Sequence, residues 1–323
     1  MRNALIVGIN HYIHGAKLHG CANDARSVSR VLSRHADGGL NFDCRVLTAE
    51  VEAEAISRSR LKDEIELLFR ASGDTSLFYF AGHGHVESSG GYLLASDSRR
   101  GDEGVALSDV VTFASRSEAK NRIIVLDSCH SGIAASRPVL TQVSEIAEGM
   151  TILTASAADQ YASEQNGIGT FTALFVDALD GAAANLLGDI TPGSIYAHID
   201  QSLAYWQQRP VFKTNVKNFV SLRQVNAPID LADLRKISEL FPGRSTFDLD
   251  PTFEPELRGR NPDAPPPIPA HTAQFAILQR YARLNLVVPV DAPHMWHAAM
   301  ESKVCRLTAL GDHYRRLAAA NRI

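Results

Sequence analysis

The chain opens on an apolar run, ALIVGI (4–9), too short for a helix and rich in β-branched residues, which predicts a buried strand. Short apolar runs and helical patterns then alternate. Asn23 and Asp24 offer N-cap chemistry for a helix with Val28, Val31 and Leu32 on one face. CRVLT (44–48) predicts a second strand, and residues 53–71 a helix carrying Ile56, Leu61, Ile65, Leu68 and Phe69. SLFYFAG (76–82) is the third predicted strand and RIIVLDS (122–128) the fourth, after a helix near 108–116. MTILTAS (150–156) is the fifth, followed by a helix over 170–184 with Phe171, Leu174, Phe175 and Leu179. NFVSL (218–222) predicts a last strand. This alternation implies an α/β fold, a mostly parallel open sheet covered by helices on both faces. Functional sites in such sheets form outside the carboxyl ends of the strands.

The pattern changes after about residue 225. Pro251, Pro255, Pro262, Pro265, Pro266, Pro267 and Pro269 crowd one segment, too many for a helix or an inner strand. A semi-rigid extended connector is predicted, within a linking region at 225–270. Helical spacing returns at 271–287 and 293–319, so a small C-terminal helical region at 271–323 is expected beyond a main domain at 1–224. The length, 323 residues, agrees with one large domain and an appendix, because single cores stop growing at about 250–300 residues. No internal repeat is visible.

Composition removes several function classes. With 45% hydrophobic and 21% charged residues and a formal net charge of -4, the chain lacks the basic excess of a nucleic-acid polymer binder. No apolar run reaches the ~18–20 residues of a membrane span. Cys21, Cys44, Cys129 and Cys305 form no C-x-x-C pair, so neither a zinc site nor a disulfide framework is expected. With no charged leader before the first strand, the expected compartment is a reducing cytoplasm, which suits a free thiol.

Two predicted strand ends carry chemistry. The third ends in FYFAGHGH, with His83 between Gly82 and Gly84; the fourth ends in VLDSCHSG, with Cys129 in the equivalent place. Adjacent strand-end loops of one parallel sheet bring such residues together. A free thiol, with a pKa of ~8.5, is only slightly ionised at neutral pH and needs a base beside it. An imidazole takes that proton and later returns it to a leaving amine. The backbone N–H groups of Gly84 and Cys129 are the expected oxyanion donors.

AGHGH after one apolar strand and DSCHSG after another resemble the caspase/metacaspase superfamily, on the metacaspase and bacterial caspase-like side. The resemblance extends through GINHY (8–12), LHGCANDA (18–25), YLLASDS (92–98), SAADQYASE (156–164) and GTFTALFVDAL (169–179), and so covers about 1–222. It implies a caspase-like three-layer α/β/α sandwich and a cysteine endopeptidase with a His83–Cys129 dyad. By the same resemblance, Cys21, Asp24 and Asp127 line a pocket for an Arg or Lys at P1, the residue whose carbonyl is attacked. Asp127 has its own physical argument, because a carboxylate next to a nucleophile disfavours the thiolate unless a cation is near. Ala81 departs from the metacaspase pattern, which has a serine there. Many metacaspases bind calcium through an acidic cluster; Asp97, Asp102 and Glu103 match it only loosely, so no cofactor or metal is assigned and calcium stays open. His11, His85 and His130 read as ordinary polar residues and Cys44 as core. A role in regulated self-destruction or antiphage defence is what the resemblance to bacterial members implies.

Beyond residue 225, Tyr281, His294, Trp296, His297, Tyr314, Arg315 and Arg316 mix aromatics and bases. Most read as helix packing and solvated surface. Trp296, Arg315 and Arg316 are the candidate contacts for an activating partner protein or a signalling nucleotide. Two rival readings belong to other classes. A catalytically silent adaptor with this fold would not need both His83 and Cys129. A nucleotide-binding doubly wound domain would need G-x-G-x-x-G after the first strand, where VGINHY stands.

Overall fold

In the computed structural model, described over residues 1–88, 90–130, 146–155, 169–203 and 210–323, the chain divides into two units, Met1–Asn226 and Ala227–Ile323. In the first unit β1 (Arg2–Ile9) pairs in parallel with β2 (Asp43–Ala49) on one side and β3 (Thr75–Glu87) on the other. β3 pairs in parallel with β6 (Asn121–His130), and β6 with β7 (Met150–Thr154). β9 (Val211–Asn215) closes the row antiparallel to β7. A hairpin of β4 (Gly90–Leu93) and β5 (Val105–Ala106) extends the sheet beyond the end of β1. β8 (Asp189–Ile190) and β10 (Arg223–Gln224) form a separate antiparallel pair.

Strand alternation sorts the two faces. Phe78, Phe80, Ile124, Leu126 and Ile152 pack with Leu61, Ile65 and Phe69 of α2 (Arg58–Arg70) and Val110 and Ala114 of α3 (Leu107–Arg116). Leu77, Tyr79, Ala81, Ile123 and Val125 pack with Val28 and Val31 of α1 (Cys21–Leu32). The same layer holds Phe171 and Phe175 of α4 (Thr170–Asp177) and Ile195 and Ile199 of α5 (Pro192–Ser202). Both faces are therefore covered, as continuous apolar runs require in a parallel sheet. The period of two carries Tyr79 and Ala81 on to position 83, and Val125 on to 127 and 129, all on the α1/α4 face.

Several expectations are corrected. β3 does not stop at residue 82: β4 folds back on it, from Gly84 opposite Leu93 to Glu87 opposite Gly90, and lengthens the strand through His83. Asn23 and Asp24 do not cap α1, because the helix begins earlier, after Gly20. The side-chain oxygen of Asn10 takes the Ala22 N–H at 3.1 Å instead. α2 starts at Arg58, not 53, because Ser57 accepts the Arg60 N–H at 3.2 Å and ends the preceding short turn. α4 gives way at residue 178 to a wider turn over Ala178–Ala182. NFVSL is not a strand: β9 holds the sheet edge, and Phe219 packs against Phe212 with ring centres 6.0 Å apart. α5 was not anticipated, although Thr191 and Pro192 announce it, Thr191 accepting the Ser194 N–H at 3.2 Å.

In the second unit, α6 (Leu231–Arg235), α7 (Ile237–Leu240), α8 (Pro269–Arg283), α9 (Met295–Met300) and α10 (Ala309–Ala319) accompany a three-stranded antiparallel sheet. Its order is β11 (Thr246–Asp248), β13 (Val304–Leu307), β12 (Val287–Pro289). The proline-rich stretch, expected as an extended connector, is folded into this unit. Phe253 is buried there, and the Arg260 guanidinium donates to the carbonyls of Glu254, Pro251 and Pro265, which replaces the ladder bonds prolines cannot make. The pattern at 293–319 resolves into two helices separated by β13, so the region is not purely helical.

The seating of α1 on β1 decides where Asp24 lies, and Gly8 permits it. A Cβ at Gly8 would lie 2.1 Å from the Cys21 carbonyl oxygen and 2.9 Å from the Ala22 Cα. Gly8→Ala is expected to cost at least ~1–3 kcal/mol, the usual range for overpacking, because the contact is with backbone. Denaturant unfolding measures this, and unchanged stability would contradict the close approach.

Candidate active site

The β3–β6 ladder runs from Thr75 opposite Asn121 to Gly84 opposite His130, and within it His83 is the register partner of Cys129. Registered positions of adjacent strands are lateral neighbours on one sheet face. The two positions are thus register neighbours inside the ladder, and not in loops beyond it as expected.

Four contacts fix His83. Its backbone N–H donates to the Tyr12 hydroxyl at 2.7 Å, and its carbonyl accepts the Leu94 N–H at 3.0 Å. The Tyr12 ring lies 4.6 Å from the imidazole, centre to centre. Finally, Nε2 is 2.8 Å from the Ala16 carbonyl oxygen. A carbonyl only accepts, so Nε2 carries the hydrogen, and the neutral ring has its lone pair on Nδ1. Nδ1 is buried and has no hydrogen-bond partner among the described residues. This leaves an oriented imidazole with a basic nitrogen, next in register to a cysteine.

Gly84 is buried and is a strand residue on both sides, opposite His130 in β6 and Leu93 in β4. It is not the open loop glycine expected from the sequence. The N–H and C=O of His83 face Tyr12 and Leu94, so by strand alternation the Gly84 N–H faces β6.

The three residues expected to line a pocket are drawn together by α1, β6 and α4. Cys21 opens α1, and Asp24, 3% exposed, sits one turn further along it. Asp127 lies in β6 two residues before Cys129. Both carboxylates reach the start of α4. The Gly169 N–H donates to Asp24 Oδ1 at 3.2 Å, and Thr172 Oγ1 donates to Asp127 Oδ2 at 2.5 Å. A Cβ at Gly169 would lie 3.2 Å from Asp127 Oδ2 and 3.4 Å from Asp24 Oδ2, so a bare α-carbon stands between the two acids. Burial pushes the Asp127 carboxyl up to about 6, against the hydrogen bonds from Thr172 that favour its ionised form. Among the described residues no Lys or Arg forms an ion pair with Asp127.

Other candidates are elsewhere engaged. Asp97 Oδ1 accepts the Arg58 N–H, Glu103 Oε2 the Arg99 N–H, and Asp102 lies 3.3 Å from the Arg100 guanidinium. No group of three or more potential metal ligands occurs among the described residues. In the second unit Arg315 and Arg316 both pair with Asp312, at 2.7 and 3.4 Å, on their own helix. Trp296 packs edge-on to His297, ring centres 5.0 Å apart. SAADQYASE (156–164) lies wholly outside the described residues, and the side chains of Cys129 and His130 do as well. Sequence reasoning missed Tyr12, the Ala16 carbonyl, Thr172 and Tyr79. GINHY contained Tyr12 and GTFTALFVDAL contained Thr172, but their polar atoms gain meaning only from tertiary partners.

Comparison with known proteins gives the family of the first unit. A family model described as the caspase domain, peptidase C14, matches residues 1–221. Metacaspase-1 of Debaryomyces hansenii is 25% identical over 219 residues, covering 58% of this chain and 44% of that protein. Metacaspase-1 of Mycosarcoma maydis is 26% identical over 161 residues, 42% of this chain and 37% of the relative. The chain therefore spans less than half the length of these relatives. The crystal structure of Caspase-1 from Spodoptera frugiperda superposes with a TM-score of 0.50 at 16% identity, covering 70% of this chain and 91% of that one, a likeness of fold. No helix among the described residues is long and apolar enough to cross a membrane.

Tyr12→Phe tests how His83 is held. Leaving the His83 N–H without its acceptor is expected to cost ~1–3 kcal/mol in unfolding free energy. A variant as stable as the parent would mean that this bond does not anchor β3.

Proposed function

The chain belongs to the caspase-domain family, and from that premise we propose that it is a cysteine endopeptidase that cleaves after Arg or Lys. The observation that carries this reading is the ladder register of His83 with Cys129, with His83 Nε2 committed to the Ala16 carbonyl and Nδ1 left as the base. Nδ1 takes the Cys129 thiol proton, and the sulfur attacks the P1 carbonyl carbon. The collapsing intermediate expels the amine, which takes the proton back from His83. Water then hydrolyses the thioester by the same proton route, restoring the thiol. Once His83 is cationic, the Ala16 carbonyl still accepts from Nε2 and holds the ring in place.

The developing oxyanion is assigned to the N–H groups of Gly84 and Cys129. Gly84 stands at the last rung of the ladder, so its N–H must be turned from β6 toward substrate for this role. The P1 pocket is assigned to Asp24 and Asp127, with Cys21 on its wall. Two acids converging on Gly169, one with its carboxyl pushed up by burial, make a site that a substrate guanidinium or ammonium relieves. The second unit contributes none of these residues and folds as a unit of its own, which supports a regulatory assignment. An arginine-directed protease in a cytoplasm needs such a gate, as does the implied role in defence or cell death.

Cys129→Ala and His83→Ala are each expected to abolish peptide hydrolysis in folded protein, since dyad members act as one unit. Retained activity of purified Cys129→Ala protein would contradict the whole reading. In a P1 peptide library, cleavage is expected after Arg and Lys and not after Asp; preference for Asp would overturn the pocket assignment. A chain ended after Asn226 is expected to lose its response to the activating signal, and an unchanged response would remove regulation from the second unit.

A further inference from the structure

The pocket floor is tied to the core by a chain of hydroxyls that the proposed reaction does not use. Thr172, fully buried near the start of α4, gives Oγ1–H to Asp127 Oδ2 at 2.5 Å, and its backbone N–H also bonds Asp127. The Tyr79 hydroxyl, equally buried on β3, lies 2.5 Å from the same threonine oxygen. A threonine hydroxyl has one hydrogen. With that hydrogen given to ionised Asp127, the phenol must be the donor of the second bond. Tyr79 is well suited to remain a donor, because burial, then the charges of Asp127 and Asp24, raise its pKa well above the ordinary phenol value. The path is one-way, from the core through Tyr79 and Thr172 to the carboxylate.

We propose that Thr172 and Tyr79 are positioning residues of the P1 pocket, which fix the orientation and the charge of Asp127 for the cationic side chain of the substrate. This rests on the pocket reading above. The physical need is plain from the surroundings. Asp127 is half-buried, a second carboxylate stands across Gly169, and among the described residues no Lys or Arg forms an ion pair with Asp127. Among the described residues, the charged groups acting on Tyr79 are Asp127 itself and Asp24 and Cys21 from α1. None of them is cationic. Without donors the acid would hold its proton more tightly, and a protonated acid attracts a guanidinium poorly. Hydrogen bonds to the charged form oppose that tendency. Thr172 also couples the floor to α4, since its own N–H bonds Asp127 and the N–H of Gly169, just before the helix, bonds Asp24.

The sign of the pH effect follows. Asp127 is raised above the ordinary carboxyl range, so pocket affinity for a cation is present above about 6 and is lost as pH falls through that value. Removing a donor to the charged form raises the value further. Thr172→Val should therefore lower kcat/KM for Arg peptides roughly 10–100-fold near neutral pH, the size of one charge-assisted bond, mostly through KM. The acidic limb of kcat/KM should move up by about one pH unit or more. Thr172→Ser should restore both, and Tyr79→Phe should shift the limb in the same direction by less.

The test pairs these profiles with carbon NMR titration of aspartate carboxyls, the Asp127 signal being identified by its loss in Asp127→Asn. An upward shift of the Asp127 titration in Thr172→Val, reversed in Thr172→Ser, is the expected result. If the titration shifts but Arg and Lys peptides are not cleaved, the relay stands and the pocket reading fails. If stability falls while the Asp127 titration and the pH limb stay where they are, Thr172 is only a packing residue and the proposal is overturned. Should Thr172→Val not fold, Tyr79→Phe carries the same comparison, since it leaves the threonine in place.

Discussion

Everything at the candidate site depends on one ladder, the parallel pairing of β3 with β6. Because the side-chain period of a strand is two, a slip of one residue would send positions 127 and 129 to the opposite face of the sheet from position 83. The register is held by what lies beneath it. Leu77 and Tyr79 on β3 and Ile123 and Val125 on β6 fill the α1/α4 layer, while Phe78, Phe80, Ile124 and Leu126 fill the other. Shifting either strand would bury none of these runs correctly. The apolar core therefore sets the chemistry by fixing which residues are neighbours two rungs beyond its edge.

Around this ladder, polar groups are placed by the ends of helices. α1 brings Asp24 because Gly8 lets the helix sit on β1, and Asn10 takes over the capping that Asp24 would otherwise do. α4 brings Gly169 and Thr172, so its start meets both acids, a favourable placement for negative charge at a helix N-terminus. Tyr12 links the chain after β1 to the backbone of His83. Each part of the site is thus an end of an element whose middle is core.

Much of this was legible in the chain. ALIVGI, SLFYFAG, RIIVLDS and MTILT are strands because their apolar runs are too short and too β-branched for helices, and the motifs at their ends drew attention to His83, Cys129 and Asp127. What periodicity could not show was where a strand stops. The run AGHGH looks like a turn because of its glycines, and only the return of β4 makes it a strand. The proline-rich segment misled for a similar reason: composition excludes regular ladders there, but Arg260 supplies non-repetitive hydrogen bonds that no local pattern announces. Thr172 and Tyr79 sat in plain apolar stretches, and their roles follow from partners 45 and 93 residues away.

The central claim is that the ladder makes His83 the base for Cys129. Alkylation of Cys129 by iodoacetamide, followed by mass spectrometry across a pH series, tests it directly and without a substrate. Cys44 and Cys305, whose thiols burial pushes up to about 11 and about 12, serve as unreactive internal references. The account predicts that Cys129 reacts well below the ordinary thiol range of ~8.5, and that His83→Ala returns its profile to that range. An identical Cys129 profile in the parent and in His83→Ala would contradict it.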